Sequence, residues 1–579
     1  MQLNQSKQGL FSDLVTDGGI EAAGPVAAQP APVTMVSFCS CPYCMGIAAQ
    51  GGSTPTGAYA TTPNASNYSY VAPVSAQGAL ADVVAPLMAG TKWDSVDATT
   101  ARTIISYSFI DPATSSFAYG ANAGFTTNCS AFSEADRQLT RELLGKIADV
   151  CNVQFVEVAD NAAECGVLRY GYSPQPTAMN YAGYTFFPST SPIGGDIWIG
   201  SNQASSQWDF YRPDLILHET LHALGLKHPF SGDSVLASQE DIIPNTVMSY
   251  SPVAGGTSGS MSAYPAEPMP YDVSALQALY GASSQNAGGD FYNLASREFQ
   301  NGFHTLWDAG GRDTLYAGAL THGVALDLAG ASDIGVRVAA TAQGASGTIG
   351  TTYTKTLTVA AGSVIEDAIG SAYADTIQGG AADNHLTGGG GNDRLDGGAG
   401  TDTAMFNGTR DHYTVAHAAD GSITVSDLSG AEGTDSLVNM ERVQFADGAL
   451  AYDMDGHAGE AADLATLVFG AQYVTSPGLM GVVIGLLDNG QAFPDVMQLA
   501  LQCALGGHAS NSDIVQLIYT HLTGHAGSAA LLQPIVAQLD CGALTAGGLG
   551  VLAAEHPANE VHIDFVGLAA NGLEYTPIG

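Results

Sequence analysis

Positive charge is scarce in this chain. Lys and Arg number 16 against 55 Asp and Glu in 579 residues, a formal net charge of −39. So few cations leave little with which to displace counterions from DNA or RNA, or to sit on an anionic bilayer, and neither is expected as a main partner. Only 12% of residues are charged, so the acidity comes from missing Lys and Arg rather than from dense acid. No run of 18 apolar residues occurs, which excludes a helical membrane span. The first ten residues hold one cation, Lys7, and no apolar stretch. A cleaved secretory signal is therefore not expected, which leaves the cytoplasm or export by another route. Eight cysteines are present, and their spacing fixes no connectivity. Gly, in contrast, is abundant at 71 residues, well above the usual share of about 7%. With 45% hydrophobic residues the chain still has the material for folded cores, and its length calls for two to four domains.

Along the chain the composition shifts three times. Residues 1–76 are rich in Ala, Pro, Ser, Gly and Thr, and are expected to form a leader or pro-segment, partly disordered. Residues 77–280 read as mixed α/β. Strands are predicted at 103–109, 153–158, 167–172 and 195–200, a helix at 133–150 with Ser133 as N-cap, and helices at 212–226 and 272–280. In 281–455, β-branched runs alternate with Gly/Asp-rich turns. Four nine-residue units stand at 370–378, 379–387, 388–396 and 397–405, and the third, Gly388-Gly389-Gly390-Gly391-Asn392-Asp393-Arg394-Leu395-Asp396, fits G-G-x-G-x-D-x-U-x in full. A flexible Gly-rich linker would not space Asp and Leu nine apart. Residues 456–579 return to helical periodicity, through 464–469, 482–487, 514–522 and 531–539.

The segment His218-Glu219-Thr220-Leu221-His222-Ala223-Leu224-Gly225-Leu226-Lys227-His228 fits H-E-x-x-H-x-x-G-x-x-H. On a helix His218 and His222 share one face, as two ligands of a tetrahedral Zn²⁺ require. Glu219 sits beside them as general base toward a metal-activated water. Gly225 ends the helix at positive φ, so that His228 returns as third ligand. Two surface histidines on a helix would explain a bare H-E-x-x-H; they do not explain the added Gly and third His at fixed spacing. Downstream, Asn245-Thr246-Val247-Met248-Ser249-Tyr250 follows the Met-turn order of metzincins. Met248 would floor the imidazoles, and Tyr250 would ligate the metal or hydrogen-bond the oxyanion. Asp272 reads as a helix N-cap.

These motifs resemble a serralysin-type metzincin, a secreted bacterial zinc endopeptidase with an RTX β-roll. The likeness covers roughly 78–455 and includes Gly183-Tyr184-Thr185-Phe186-Phe187-Pro188, Leu276-Gln277-Ala278-Leu279-Tyr280-Gly281 and Trp307-Asp308-Ala309-Gly310-Gly311-Arg312-Asp313-Thr314-Leu315. It implies a multidomain chain: an α/β metzincin catalytic domain, an all-β parallel β-roll domain and a C-terminal all-α module. It implies one catalytic Zn²⁺, several structural Ca²⁺ ions, and polypeptide substrates laid along an edge strand bearing Tyr184 and Phe186. In a β-roll successive turns alternate sides, so Asp375 would face Asp393, and Asn384 (or Asp383) would face Asp402, in all-oxygen Ca²⁺ cages. By the same resemblance Asp290, Asp308, Gly310 and Asp313 would hold a further Ca²⁺.

The resemblance also implies export through a type 1 secretion apparatus to the extracellular space, the repeats folding where Ca²⁺ is abundant. The C-terminal module would serve secretion, cell-surface association or plain packing. Cys39, Cys41 and Cys44 form a cluster that could cap the zinc as thiolates, or make a disulfide or an incomplete zinc knuckle. Two other functions fit the same motifs: a narrow surface-layer processing protease, and a Ca²⁺-dependent adhesion protein with a vestigial protease domain.

Overall fold

The computed structural model describes residues 71–75, 81–117, 124–257 and 259–578. Cys39, Cys41 and Cys44, with nearly all of the expected leader, lie outside the described residues. The strand Val71–Pro73 pairs antiparallel with Thr91–Trp93.

Apolar alternation drives β1 (Thr103–Phe109) into the interior of a sheet, between two neighbours. Helix α1 (Glu134–Val150) follows, with Ser133 Oγ accepting the Asp136 N–H at its N-cap and Leu143, Leu144, Ile147 and Val150 buried at helical spacing. Next come β2 (Val153–Glu157), β3 (Leu168–Ser173), β4 (Gly183–Thr185) and β5 (Asp196–Gly200). The sheet order is β2-β1-β3-β5-β4. All neighbours are parallel except β4, which runs antiparallel to β5 with Tyr184 opposite Trp198. Helix α2 (Arg212–Ala223) lies against this sheet, and α3 (Pro270–Tyr280) packs into the same core. Two helix ends differ from the sequence reading. The helix expected to run to 226 stops at Ala223, because Gly225 at φ +106° turns the chain. The helix expected to start at Asp272 starts at Pro270, whose ring fixes φ for a first turn.

The repeats form a two-sheet roll. Strands Asp367–Ile369, His385–Thr387 and Thr403–Met405 stack in parallel in one sheet, and Thr376–Gln378 and Arg394–Asp396 in the other. Each nonapeptide is thus one turn and one strand, and two of them complete a circuit. Ala368, Ile377, Leu386, Leu395 and Ala404 are fully buried in the narrow interior. Outside the repeats, a long hairpin, β7 (Val338–Gly344) and β8 (Gly347–Tyr353), leaves the roll. Its first strand pairs with β6 (Gly259–Met261), putting Ala340 opposite Met261. Val338, Ala340 and Ala342 join the α/β core.

From His457 the chain is helical, through Pro477–Asp488, Phe493–Leu505, Asn511–Thr523, Ala529–Asp540 and Ala546–Ala554. The reading of this part as all-α misses one element. Leu573–Tyr575 returns as a strand and pairs antiparallel with Gly448–Ala451 at the end of a roll sheet. A three-residue strand next to Gly572 has too little periodicity to announce itself. Among the described residues no helix is long and apolar enough to cross a membrane.

Candidate metal centre and catalytic site

Helix α2 is apolar on the side that meets the sheet, with Leu215, Ile216, Leu217 and Leu221 buried. His218 and His222, one turn apart, leave this helix together and are also buried. Gly225 is required where it stands, since a Cβ there would lie 2.2 Å from the Thr91 carbonyl oxygen. Its positive φ brings back His228, which is fully buried. His218 Nε2 then lies 3.1 Å, and His222 Nε2 3.0 Å, from His228 Nε2.

The outer nitrogens explain which atoms face inward. His218 Nδ1 is 2.6 Å from the Val247 carbonyl oxygen and His222 Nδ1 is 2.7 Å from that of Leu226. A carbonyl oxygen only accepts, so each Nδ1 carries the proton and each Nε2 presents a lone pair. Burial, with His228 alongside, pushes the His218 pKa down to about 3, so the ring is neutral. Lone pairs converging at this separation repel unless a cation sits among them. Tetrahedral Zn²⁺ holds nitrogen ligands about 3.3 Å apart, so these three residues fit that ion.

Tyr250 adds a fourth polar atom, its hydroxyl oxygen standing 2.7 Å from His228 Nε2. Glu219 is buried beside the cluster, and its Oε2 accepts a 2.6 Å hydrogen bond from Thr185 Oγ1 on β4. Burial raises its pKa to about 8, against the pull of the Thr185 hydrogen bond. A Cβ on Gly183 would lie 2.4 Å from Glu219 Oε1, so β4 runs directly against this carboxyl. Thr185 carried no mark in the sequence; its role follows only from the crossing of β4 and α2.

Met248 is fully buried in the core below the turn. Asp272 is not the N-cap expected of it. Met269 takes that place, and Asp272, at N3, accepts from the Met269 N–H (3.0 Å), the Val247 N–H (2.9 Å) and Thr246 Oγ1 (2.5 Å). It therefore pins the Met-turn, and through Val247 it fixes the carbonyl that orients His218. Burial raises its pKa to about 7. Tyr184 and Phe186, expected on the substrate strand, pack their rings with Phe125. Tyr184 is buried, so on β4 it is the backbone edge rather than this side chain that an extended peptide would meet.

In the roll, Asp393 Oδ1 accepts the Asp375 N–H, Asp402 Oδ1 the Asn384 N–H, and Asp435 Oδ1 the Asp393 N–H, each at 2.8 Å. The expected facing pairs are therefore stacked, and Asp435 and Glu441 extend them, Glu441 Oε2 accepting the Asp402 N–H. The second oxygens, Oδ2 of Asp393 and of Asp402, are buried without a hydrogen-bond partner. Burial first, then the neighbouring carboxylates, raises Asp393 and Asp402 to about 6 and Asp435 to about 7. Orphaned carboxylate oxygens between Gly-rich turns fit Ca²⁺. Asp290, Asp308 and Asp313 likewise bring carboxylate oxygens within 4.8 Å of one another. There Gly310, at φ +127°, donates its N–H to Asp308, and Asp313 Oδ2 is a further buried orphan. Asp435 could have been found, since Gly433-Thr434-Asp435-Ser436-Leu437 repeats the G-x-D-x-L of Gly391–Leu395 outside the nine-residue register.

Residues 369–404 match the model of the RTX calcium-binding nonapeptide repeat, four copies. The chain is 31% identical over 287 residues to Serralysin G of Dickeya chrysanthemi, covering 44% of this chain and 55% of that protein. It is 29% identical over 286 residues to a serralysin of Photorhabdus laumondii, at 44% and 55% coverage, and 29% over 294 residues to one of Proteus mirabilis, at 44% and 56%. The chain thus spans about half the length of these curated relatives. Stacked RTX turns and this similarity together mark the chain as a homologue of the serralysin-type proteases over its N-terminal and central part, with calcium-binding RTX repeats.

Proposed function

We propose that the protein is a secreted zinc-dependent endopeptidase with His218, His222 and His228 as metal ligands and with calcium stabilising its roll. The observation that carries this reading is the convergence of three imidazole Nε2 atoms at 3.0–3.1 Å next to a buried carboxyl. Zinc, when bound, would polarise the scissile carbonyl and acidify water. Glu219 takes the proton of the attacking water and hands it to the departing amine, so no acyl-enzyme is formed. Thr185 holds that carboxyl in place through its hydroxyl. Tyr250 donates a hydrogen bond to the oxyanion as charge develops. The rim strand β4 takes an extended segment by β-pairing, which selects unfolded or loop polypeptide. The division at 76/77, 280/281 and 455/456, and the use of a type 1 secretion apparatus, belong to the same proposal.

Metal analysis paired with casein hydrolysis tests it. About one zinc per chain and chelator-sensitive cleavage are expected, with Glu219→Gln retaining zinc and losing roughly 10²–10⁴-fold in rate. Bound zinc with no cleavage of any unfolded protein would instead favour a calcium-dependent surface protein with an idle site.

A further inference from the structure

A cavity of about 360 Å³ opens beside the histidine cluster, bordered by Glu219 and Tyr250 and walled by Tyr211, Leu215, Val247 and Tyr264. Most of this lining is apolar or aromatic. Besides Glu219, one further carboxyl lines the cavity, that of Asp214, one helical turn before His218 on α2. It is 5% exposed, and its Oδ1 is buried with no hydrogen-bond partner. An acid in the first turn of a helix ordinarily serves its N-terminus, yet the end at Tyr211 has no side-chain cap. The nearby cation does not neutralise it either, because the Arg212 guanidinium is held by Asp136 at 3.1 Å and Asp209 at 2.8 Å. The ionisable groups that act on Asp214 are of the wrong kind: Asp272 repels it, and the Tyr264 phenol feels its charge. Burial, then Asp272, keeps its pKa well above the usual carboxylate range. A buried acceptor left this way is costly unless a ligand supplies the partner.

We propose that Asp214 makes this cavity a receptor for an arginine or lysine side chain of the substrate, so that the enzyme cuts polypeptides beside basic residues. The proposal rests on the endopeptidase reading and names its substrate class. A cationic side chain gives Asp214 the donor and the countercharge that the fold withholds. Its aliphatic stem suits the apolar walls, and a guanidinium stacks on aromatic faces. The net charge of −39 draws cationic peptides toward the molecule as a whole.

The test uses the full chain loaded with zinc and calcium, a mixed peptide library, and mass spectrometry of the cut bonds. Arg and Lys should be enriched about tenfold over Leu at one position flanking the cut. In Asp214→Asn, which keeps the shape and removes the charge, that enrichment should fall to about twofold or less with the zinc content retained. A wild-type profile led by Leu or Phe at every flanking position overturns the proposal and leaves the endopeptidase standing. No cutting of any peptide overturns both. The wild-type profile decides the matter even if the variant fails to fold.

Discussion

The histidine cluster and the stacked acids of the roll, proposed to hold zinc and calcium, are built on opposite principles. At the histidine cluster the ligands are neutral, and the protein's own carbonyls at Val247 and Leu226 hold the outer nitrogens. Those partners belong to the protein itself, so the core around the cluster orients its rings. In the roll the ligands are carboxyls stacked turn upon turn, with buried Oδ2 atoms of Asp393 and Asp402 that no protein group satisfies. There the fold and the ion depend on each other. The contrast predicts a zinc centre that survives metal removal as a shape, and a roll that does not.

Stripping calcium should have the largest effect. Each ion held at a hundred times its Kd contributes about 2.7 kcal/mol, so several together decide whether the roll exists. A calcium-selective chelator is expected to abolish the roll's unfolding transition in a calorimetric scan. Zinc retained by the same sample would leave the contrast intact; loss of both metals together would break it.

The pH response of the calcium-free protein gives the next test. Asp393 and Asp402 at about 6, and Asp435 at about 7, are raised above the usual carboxylate value by burial and by their neighbours. Between pH 4 and pH 7 the folded state therefore holds more protons than the unfolded chain, and stability falls as pH rises. Circular dichroism melts without calcium should show Tm dropping from pH 4.5 to pH 7.5. Added calcium should remove that slope, because it replaces the protons.

At the proposed zinc site, Asp272→Ala strands the Val247 and Met269 N–H groups and frees the carbonyl that orients His218. We expect a loss of about 2–3 kcal/mol in stability and about 10–100-fold in zinc affinity, read by thermal melts and metal titration. Thr185→Val should do least, lowering kcat by up to about tenfold with KM little changed, as its hydroxyl only holds Glu219. A Thr185→Val variant with full kcat would mean that Glu219 is held by its packing alone.

Much of this was legible in the sequence where a local pattern encodes a local geometry. Spacing on one helix placed His218 and His222, and nine-residue spacing placed Asp375, Asp393 and Asp402. Contacts between distant segments were not legible. Thr185 meets Glu219 because two elements cross, 34 residues apart, and nothing in Gly183-Tyr184-Thr185 states that crossing. Asp272 was misread for the same reason: as a first-turn acid it looks like a cap, and only the fold shows that the Met-turn hangs from it. The hairpin β7–β8 was missed as a partner of the α/β core because alternating Ala, Thr and Val describe a strand without saying what it pairs with.

The strand Leu573–Tyr575, lying beside Gly448–Ala451, makes the helices between them a closed loop rather than a tail. Tyr575 is also tied to the roll from the side, its ring 5.8 Å from the buried Arg442 guanidinium, which pairs in turn with Asp453 and Asp488. Deleting Gly572–Ile578 would bare a row of backbone donors and acceptors on the sheet margin, an invitation to intermolecular pairing. It would also remove one of the holds on the helices, leaving the Arg442–Asp488 pair and the packing on Ala449 and Ala451 to carry the junction alone.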